Sequence, residues 1–140
     1  MMLQLAVDQD HILAQSIFRL PTEVFGATQQ TPIYYQDHIY GVRPDGQFVC
    51  LDTAGKILWA SGPNHRFGLG SFLLADGLAF VMNDSGELSL IRAAPNAFVE
   101  LAQAEVLPAG RESWGPMALA GGRLLVRDLT RLFCLDVGHP

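Results

Sequence analysis

The residues best equipped for chemistry in this sequence are few and far apart. His11, His38, His65 and His139 include no pair at metal-ligand spacing, and Cys50 and Cys134 stand 84 positions apart. None of G-x-S-x-G, H-E-x-x-H, C-x-x-C or a P-loop is present, so the spacings that set up a nucleophile, a zinc-bound water or a phosphate cradle are missing. One loop combines groups suited to holding a ligand. Asn64-His65-Arg66-Phe67-Gly68-Leu69-Gly70 puts an imidazole and a guanidinium on glycine-rich backbone beside an aromatic ring. A plain connector with solvated polar side chains is the simpler account of that composition, and Gly68-Leu69-Gly70 without a βαβ context is too little for a nucleotide site. Trp114, in Arg111-Glu112-Ser113-Trp114-Gly115, either lines the mouth of a site or packs between structural units, packing being the simpler reading. Asp45, Asp76 and Asp84 read as turn formers whose carboxylates bond the backbone two residues on, and a tight turn sufficiently explains the sequon Asn83-Asp84-Ser85. The expectation is therefore no catalytic, cofactor-binding or metal residue, with His65, Arg66 and Trp114 as weak ligand candidates.

The elements that would position these residues are short strands. From Pro32 the sequence alternates apolar runs with turn residues. Ile33-Tyr34-Tyr35, Ile39-Tyr40-Gly41-Val42, Phe48-Val49-Cys50-Leu51 and Ile57-Leu58-Trp59 are separated by Gln36-Asp37-His38, Pro44-Asp45-Gly46 and Thr53-Ala54-Gly55. Four strands and three turns make an antiparallel meander. The order returns with Phe72-Leu73-Leu74, Asp76-Gly77, Leu78 to Val81, Asp84-Ser85-Gly86 and Leu88 to Ile91. A fourth strand there falls at Phe98 to Leu101 or a little beyond, although Glu100 to Val106 also suits one helical turn. A third pass runs Met117-Ala118-Leu119, Gly121-Gly122, Leu124-Leu125-Val126, a turn at Asp128 to Thr130, and Leu132 to Leu135, with no fourth strand.

The period can be counted. Gly46 and Gly86 are 40 residues apart, Cys50 and Cys134 two periods of 42, and Gly77 and Gly122 45. Four strands every ~40–45 residues is the pattern of β-propeller blades. Runs such as Phe48 to Leu51 and Leu132 to Leu135 are apolar at every position, as expected of a sheet with a blade packed on both faces. The two cysteines should then be small core residues in non-adjacent units, out of reach of a disulfide. Leu3 to Gln9 and Ile12 to Leu20 read as two strands around Asp8-Gln9-Asp10-His11, with a competing helix over Leu13, Ile17 and Leu20 at i, i+4, i+7.

Thr31-Pro32-Ile33, Tyr40-Gly41, Asp45-Gly46, Cys50-Leu51-Asp52 and Gly55-Lys56-Ile57-Leu58-Trp59 together resemble the repeats of the PQQ-like, quinoprotein-type β-propeller family, and Cys134-Leu135-Asp136 repeats the central step. The resemblance implies an all-β fold, a partial propeller of about three four-stranded antiparallel blades and a C-terminal segment of a longer propeller. Gly46, Gly55, Trp59 and Gly86 would be the blade-docking positions, with Trp59 packed between blades. The Asp52-to-Gly55 spacing is one residue shorter than the commonest family form, and the second unit has no Trp at the docking place. Quinoprotein dehydrogenases stack their quinone between a Trp and a vicinal Cys-Cys disulfide and hold Ca²⁺ with carboxylates. Here the cysteines are far apart and no calcium cluster is legible, so the resemblance implies the fold and not the cofactor.

One domain, residues 1–140, follows: 1–30 as strands completing a preceding blade, 31–60 and 70–106 as blades, and 115–140 as an incomplete blade. At 49% hydrophobic residues the chain can bury a core. A net charge of −5 with nine scattered basic residues argues against nucleic acid and against anionic membrane surfaces. The longest uncharged apolar run, Phe67 to Ala75, is too short for a spanning helix, and Met1 to Asp10 lacks the charge pattern of a signal peptide, so a soluble chain of unknown location is expected. About three blades leave bare sheet faces, which require a cap, the missing blades of a longer propeller or a second copy of the chain, the last being favoured. A non-catalytic scaffold or binding module, open to a protein partner, is the leading functional expectation. The alternative is part of a larger propeller enzyme, dehydrogenase or hydrolase, whose active-site residues lie outside this chain; a sensor module fused to a signalling domain is a third.

Overall fold

The computed structural model describes residues 1–138; His139 and Pro140, including one of the four histidines, lie outside the described residues. The chain opens with a two-stranded hairpin, β1 (Met2–Asp8) and β2 (His11–Phe18). The first sheet follows as β3 (Ile33–Tyr35), β4 (His38–Val42), β5 (Phe48–Asp52) and β6 (Ile57–Ala60), paired in sequence order. The second is β7 (Phe72–Ala75), β8 (Leu78–Met82), β9 (Glu87–Arg92) and β10 (Glu100–Glu105), and the third β11 (Ala118–Ala120), β12 (Arg123–Arg127) and β13 (Leu132–Asp136). All pairings are antiparallel, and no helix occurs among the described residues. The two segments with a helical alternative, Leu13 to Leu20 and Glu100 to Val106, carry strands β2 and β10.

The sheets repeat one another in register as well as in order. Each first hairpin closes with two residues in the left-handed region, Gln36-Asp37, Asp76-Gly77 and Gly121-Gly122, the turn whose twist matches paired strands. Each second turn is pinned by one side chain at its start or within it. Asn83 Oδ1 accepts the Ser85 and Glu87 amides, and Asp128 Oδ1 accepts those of Thr130 and Arg131. Asp45 Oδ1 accepts the Gln47 amide at 3.1 Å.

Asp128 also takes the Arg131 guanidinium through Oδ2. The Arg131 hydrogen bond, with the Thr130 amide, holds its carboxyl down at about 2 from an ordinary 3.8. A group whose folded pKa is depressed stabilises the fold fully above its ordinary value and loses that contribution as pH falls through the folded one. The turn should therefore weaken as pH drops from 3.8 to about 2. A carboxyl NMR titration should place the Asp128 midpoint near the lower value, and Arg131→Ala should move it back up. A midpoint unchanged by that substitution would refute the assignment.

Two apolar cores lie between stacked sheets. Tyr40, Val42, Phe48, Cys50 and Trp59 of the first sheet pack on Ala79, Val81 and Ile91 of the second. Phe80 and Met82, on the opposite face of β8, pack with Leu107 on Leu124 and Val126 of β12. The two faces of β5 are both buried, but by different things. Phe48 and Cys50 meet the second sheet, whereas Leu51 lies with Phe18, Leu20 and Phe25 of the segment before β3. Phe25 approaches so closely that a Cβ on Gly41 would stand 2.7 Å from its ring.

The expectation that both faces of the Leu132 to Leu135 run are buried fails. Phe133 and Leu135 face the core, while Leu132 and Cys134 are exposed, because no element among the described residues covers the outer side of the third sheet. Cys50 is buried as expected, with its thiol pushed up by burial, and both cysteines are free.

Candidate functional site at one end of the sheets

Every second turn and every connection between sheets falls at one end of the stack. There the segment before β3, the loop from Ser61 to Ser71 and the loop from Val106 to Met117 meet the turns at Asp45, Asn83 and Asp128. Two glycines set this end by the same geometry. Gly46 and Gly86 sit at φ +85° and +90° in their turns, and the carbonyl of each accepts the amide of a buried apolar residue 21 positions on, Phe67 at 2.7 Å and Leu107 at 3.0 Å. Phe67 and Leu107 then each accept an amide three residues further, from Gly70 and Gly110. The loops are thus clamped down at the same point of each repeat.

Side chains tie neighbouring repeats together across this end. The Gln30 amide donates to the carbonyls of Gly68 and Gly70 at 2.8 and 2.9 Å, and Ser71 Oγ donates to the Gly115 carbonyl at 2.7 Å. Asp84 does not cap its own turn as expected, since Asn83 does that. Its Oδ1 instead accepts the Leu69 amide at 2.8 Å and the Trp114 indole N–H at 2.9 Å, joining both loops.

The consequence is a groove of about 440 Å³ over the starts of the three first strands. Trp114, half-buried, forms one wall with Pro116 and Met117; Gln29, Gln30 and Thr31 form the other, and Phe72 lies at its base. A second groove of about 370 Å³, between Asp45 and Arg66 on one side and Asp84 and Ser85 on the other, adjoins it across Asp84.

The three ligand candidates from the sequence are not gathered in one place. Trp114 lines the first groove and Arg66 the second, with Arg66 Nε donating to the Pro63 carbonyl at 3.3 Å. His65 faces away from both, its ring 5.1 Å from that of Phe98 and its Nε2 3.3 Å from Glu100 Oε2. Trp59 is buried at the interface of the first two sheets, its Nε1 donating to the Ala94 carbonyl at 2.8 Å. Gly55 sits at φ +85° beneath the Phe18 ring. Sequence reasoning missed Gln30, Ser71 and Asp84 as ties. The signal present was spacing, since Gln30 and Gly70 are 40 residues apart and Ser71 and Gly115 are 44, the repeat period itself.

The same stacking of sheets is found in a known structure. The crystal structure of BamB from Moraxella catarrhalis, a propeller, superposes with a TM-score of 0.59 at 14% sequence identity, over 76% of this chain and 32% of that one. The fold is a partial β-propeller. The chain spans about a third of the BamB length. No protein-family model matches the sequence, and no match among curated proteins was found. Among the described residues no group of three His, Cys, Asp or Glu side chains is placed to hold a metal ion, and no helix is long and apolar enough to cross a membrane.

Proposed function

We propose that this chain is a non-catalytic, PQQ-like propeller segment that binds a polypeptide in the groove beside Trp114. The carrying observation is the make-up of that groove. Two amides and a hydroxyl, from Gln29, Gln30 and Thr31, face an indole, a proline and a thioether across about 440 Å³. The Gln29 amide can offer an extended backbone both a donor and an acceptor, Gln30 its carbonyl oxygen, and the apolar wall accepts the side chains. Trp and Met are residue types that concentrate binding energy or adapt to varied partners. Gln30 is itself immobilised by the Gly68 and Gly70 carbonyls, so part of the site is ordered before any ligand arrives. The resemblance of the repeats to the quinoprotein-type family supports the propeller reading of this surface and carries no cofactor with it.

Selection from a random-peptide display library against the full chain, followed by titration of the selected peptides, tests this reading. Trp114→Ala should weaken binding at least about tenfold while leaving the fold intact, as expected for a half-buried groove anchor. Failure to select any peptide, or selected peptides whose affinity ignores Trp114→Ala, would sink it.

A further inference from the structure

Two apolar surfaces at opposite ends of the chain have nothing against them among the described residues. The β1–β2 hairpin places Leu3, Leu5, Val7, Ile12 and Ala14 on one side by strand alternation and register, and Val7 is 78% and Ile12 72% exposed. At the other end, Ala118, Leu125 and Cys134 form one cross-strand row on the outer side of the third sheet, with Leu132, 68% exposed, beside it. Among the described residues that sheet has three strands where the first two have four and β13 has no neighbour on its outer edge, and the hairpin is two strands without a further one. Bare apolar strands with free backbone edges are templates for further pairing.

We propose that these surfaces bind each other between copies of this chain: β2 of one copy pairs with the open edge of β13 in a second, and the apolar side of the hairpin continues the apolar row of Ala118, Leu125 and Cys134 on the outer side of that sheet, between Arg123 and Arg127. Alternation fixes which side the hairpin presents, because a one-residue slip would put Gln4, Ala6, Leu13 and Gln15 there instead, with two amides in the contact. Since β2 leads directly toward the first sheet, the same docking brings the groove of about 670 Å³ lined by Phe18, Phe25, Tyr34 and Ile39 against Leu125 and Leu132 of the second copy. Sheet stacking then runs on from one copy into the next.

Charge favours this pairing over hairpin to hairpin. Residues 1–30 carry Asp8, Asp10 and Glu23 against Arg19, a net −2, whereas residues 115–140 carry Arg123, Arg127 and Arg131 against Asp128 and Asp136, a net +1 in a chain of −5. Arg123 and Arg131 are paired with Asp136 and Asp128, but Arg127 has no carboxylate partner among the described residues and lies on the outer side of β12. Asp8 and Asp10, at the hairpin tip, have no cationic partner among the described residues either. The contact is head-to-tail, so every open assembly keeps one free hairpin and one free third sheet until a ring closes.

The test is the mass of the full chain by sedimentation, with surface charges placed in each half of the contact. Wild type should associate at micromolar concentration. Val7→Asp with Ile12→Asp, and separately Leu132→Lys, which stands opposite Arg127, should each weaken association roughly 100-fold, since a buried unpaired charge is strongly disfavoured. All three side chains are exposed in the single chain, so circular dichroism should be unchanged. Mixing the two variants should restore a 1:1 dimer and nothing larger, because one copy retains an intact hairpin and the other an intact third sheet. A monomeric wild type, a Leu132→Lys variant that still dimerises through its hairpin, or a mixture that stays monomeric would each overturn the proposal.

Discussion

Replacing Trp59 with alanine is expected to remove about 3–5 kcal/mol of stability, the range for emptying a buried large aromatic site. The side chain is 8% exposed and touches three rings, Tyr40, Phe48 and Phe98, at centroid separations of 6.1, 5.9 and 5.9 Å. Tyr40 and Phe48 belong to its own sheet, whereas Phe98 and the Ala94 carbonyl that accepts its N–H belong to the β9–β10 connection of the next. One side chain therefore fills space within the first sheet and fastens that sheet to the second. Alanine would leave a cavity and an unpaired carbonyl together. Trp59→Phe separates the two, since it keeps most of the volume and loses the hydrogen bond, at about 1–2 kcal/mol. Urea denaturation at fixed protein concentration should show both shifts as changes in midpoint with little change in slope. Leu129→Ala, at a 62% exposed turn position, should stay within about 0.5 kcal/mol. Equal losses for Trp59→Ala and Leu129→Ala would contradict the docking role.

The same comparison shows why the second interface needs no tryptophan. Between the second and third sheets the buried volume comes from Leu107, Met82, Leu124 and Val126. Leu107 reaches the core from a loop clamped by the Gly86 carbonyl, as Phe67 does from the loop clamped by Gly46. The repeat keeps the clamp and lets the packing residue vary, which is how one architecture tolerates unlike cores.

Much of this architecture is legible in the sequence because it is local. Asp76-Gly77 and Gly121-Gly122 announce their turns, and apolar runs such as Phe48 to Leu51 announce strands. Glu100 to Glu105 is ambiguous because Glu, Ala and Gln favour helix. Pairing with β9, from Glu105 opposite Glu87 to Gln103 opposite Ser89, decides for strand. The face of Cys134 cannot be read from an apolar run, which does not say whether a neighbour covers one side or two. Asp84 misleads for a related reason. A turn carboxylate has a local explanation in its own turn, and only the fold brings Leu69 and Trp114 to it from 15 residues before and 30 after. The groove beside Trp114 is likewise a product of three loops that meet only when the sheets stack.

Gly86 supplies the second large effect, and it tests the clamp directly. Gly86→Ala should cost about 3 kcal/mol or more, because two penalties act on the same atom. At φ +90° an L side chain is strained by about 1–2 kcal/mol, and the added Cβ would lie 2.5 Å from the Leu107 carbonyl oxygen and 2.6 Å from its Cβ. That oxygen is backbone, held by the Gly110 amide at 2.7 Å, so it cannot swing aside without opening the loop that carries Leu107 into the core and leads on to Trp114. Gly77 provides the control. It sits at φ +78° with nothing within 4 Å of the place a Cβ would occupy, so Gly77→Ala incurs the backbone strain alone, about 1–2 kcal/mol. Thermal or urea unfolding of the pair should show the Gly86 variant losing at least twice as much, and peptide binding at the Trp114 groove should fall only in that variant. Equal losses would mean that the Gly86–Leu107 contact does not hold the loop, and the groove would then owe its shape to the Gln30, Ser71 and Asp84 ties.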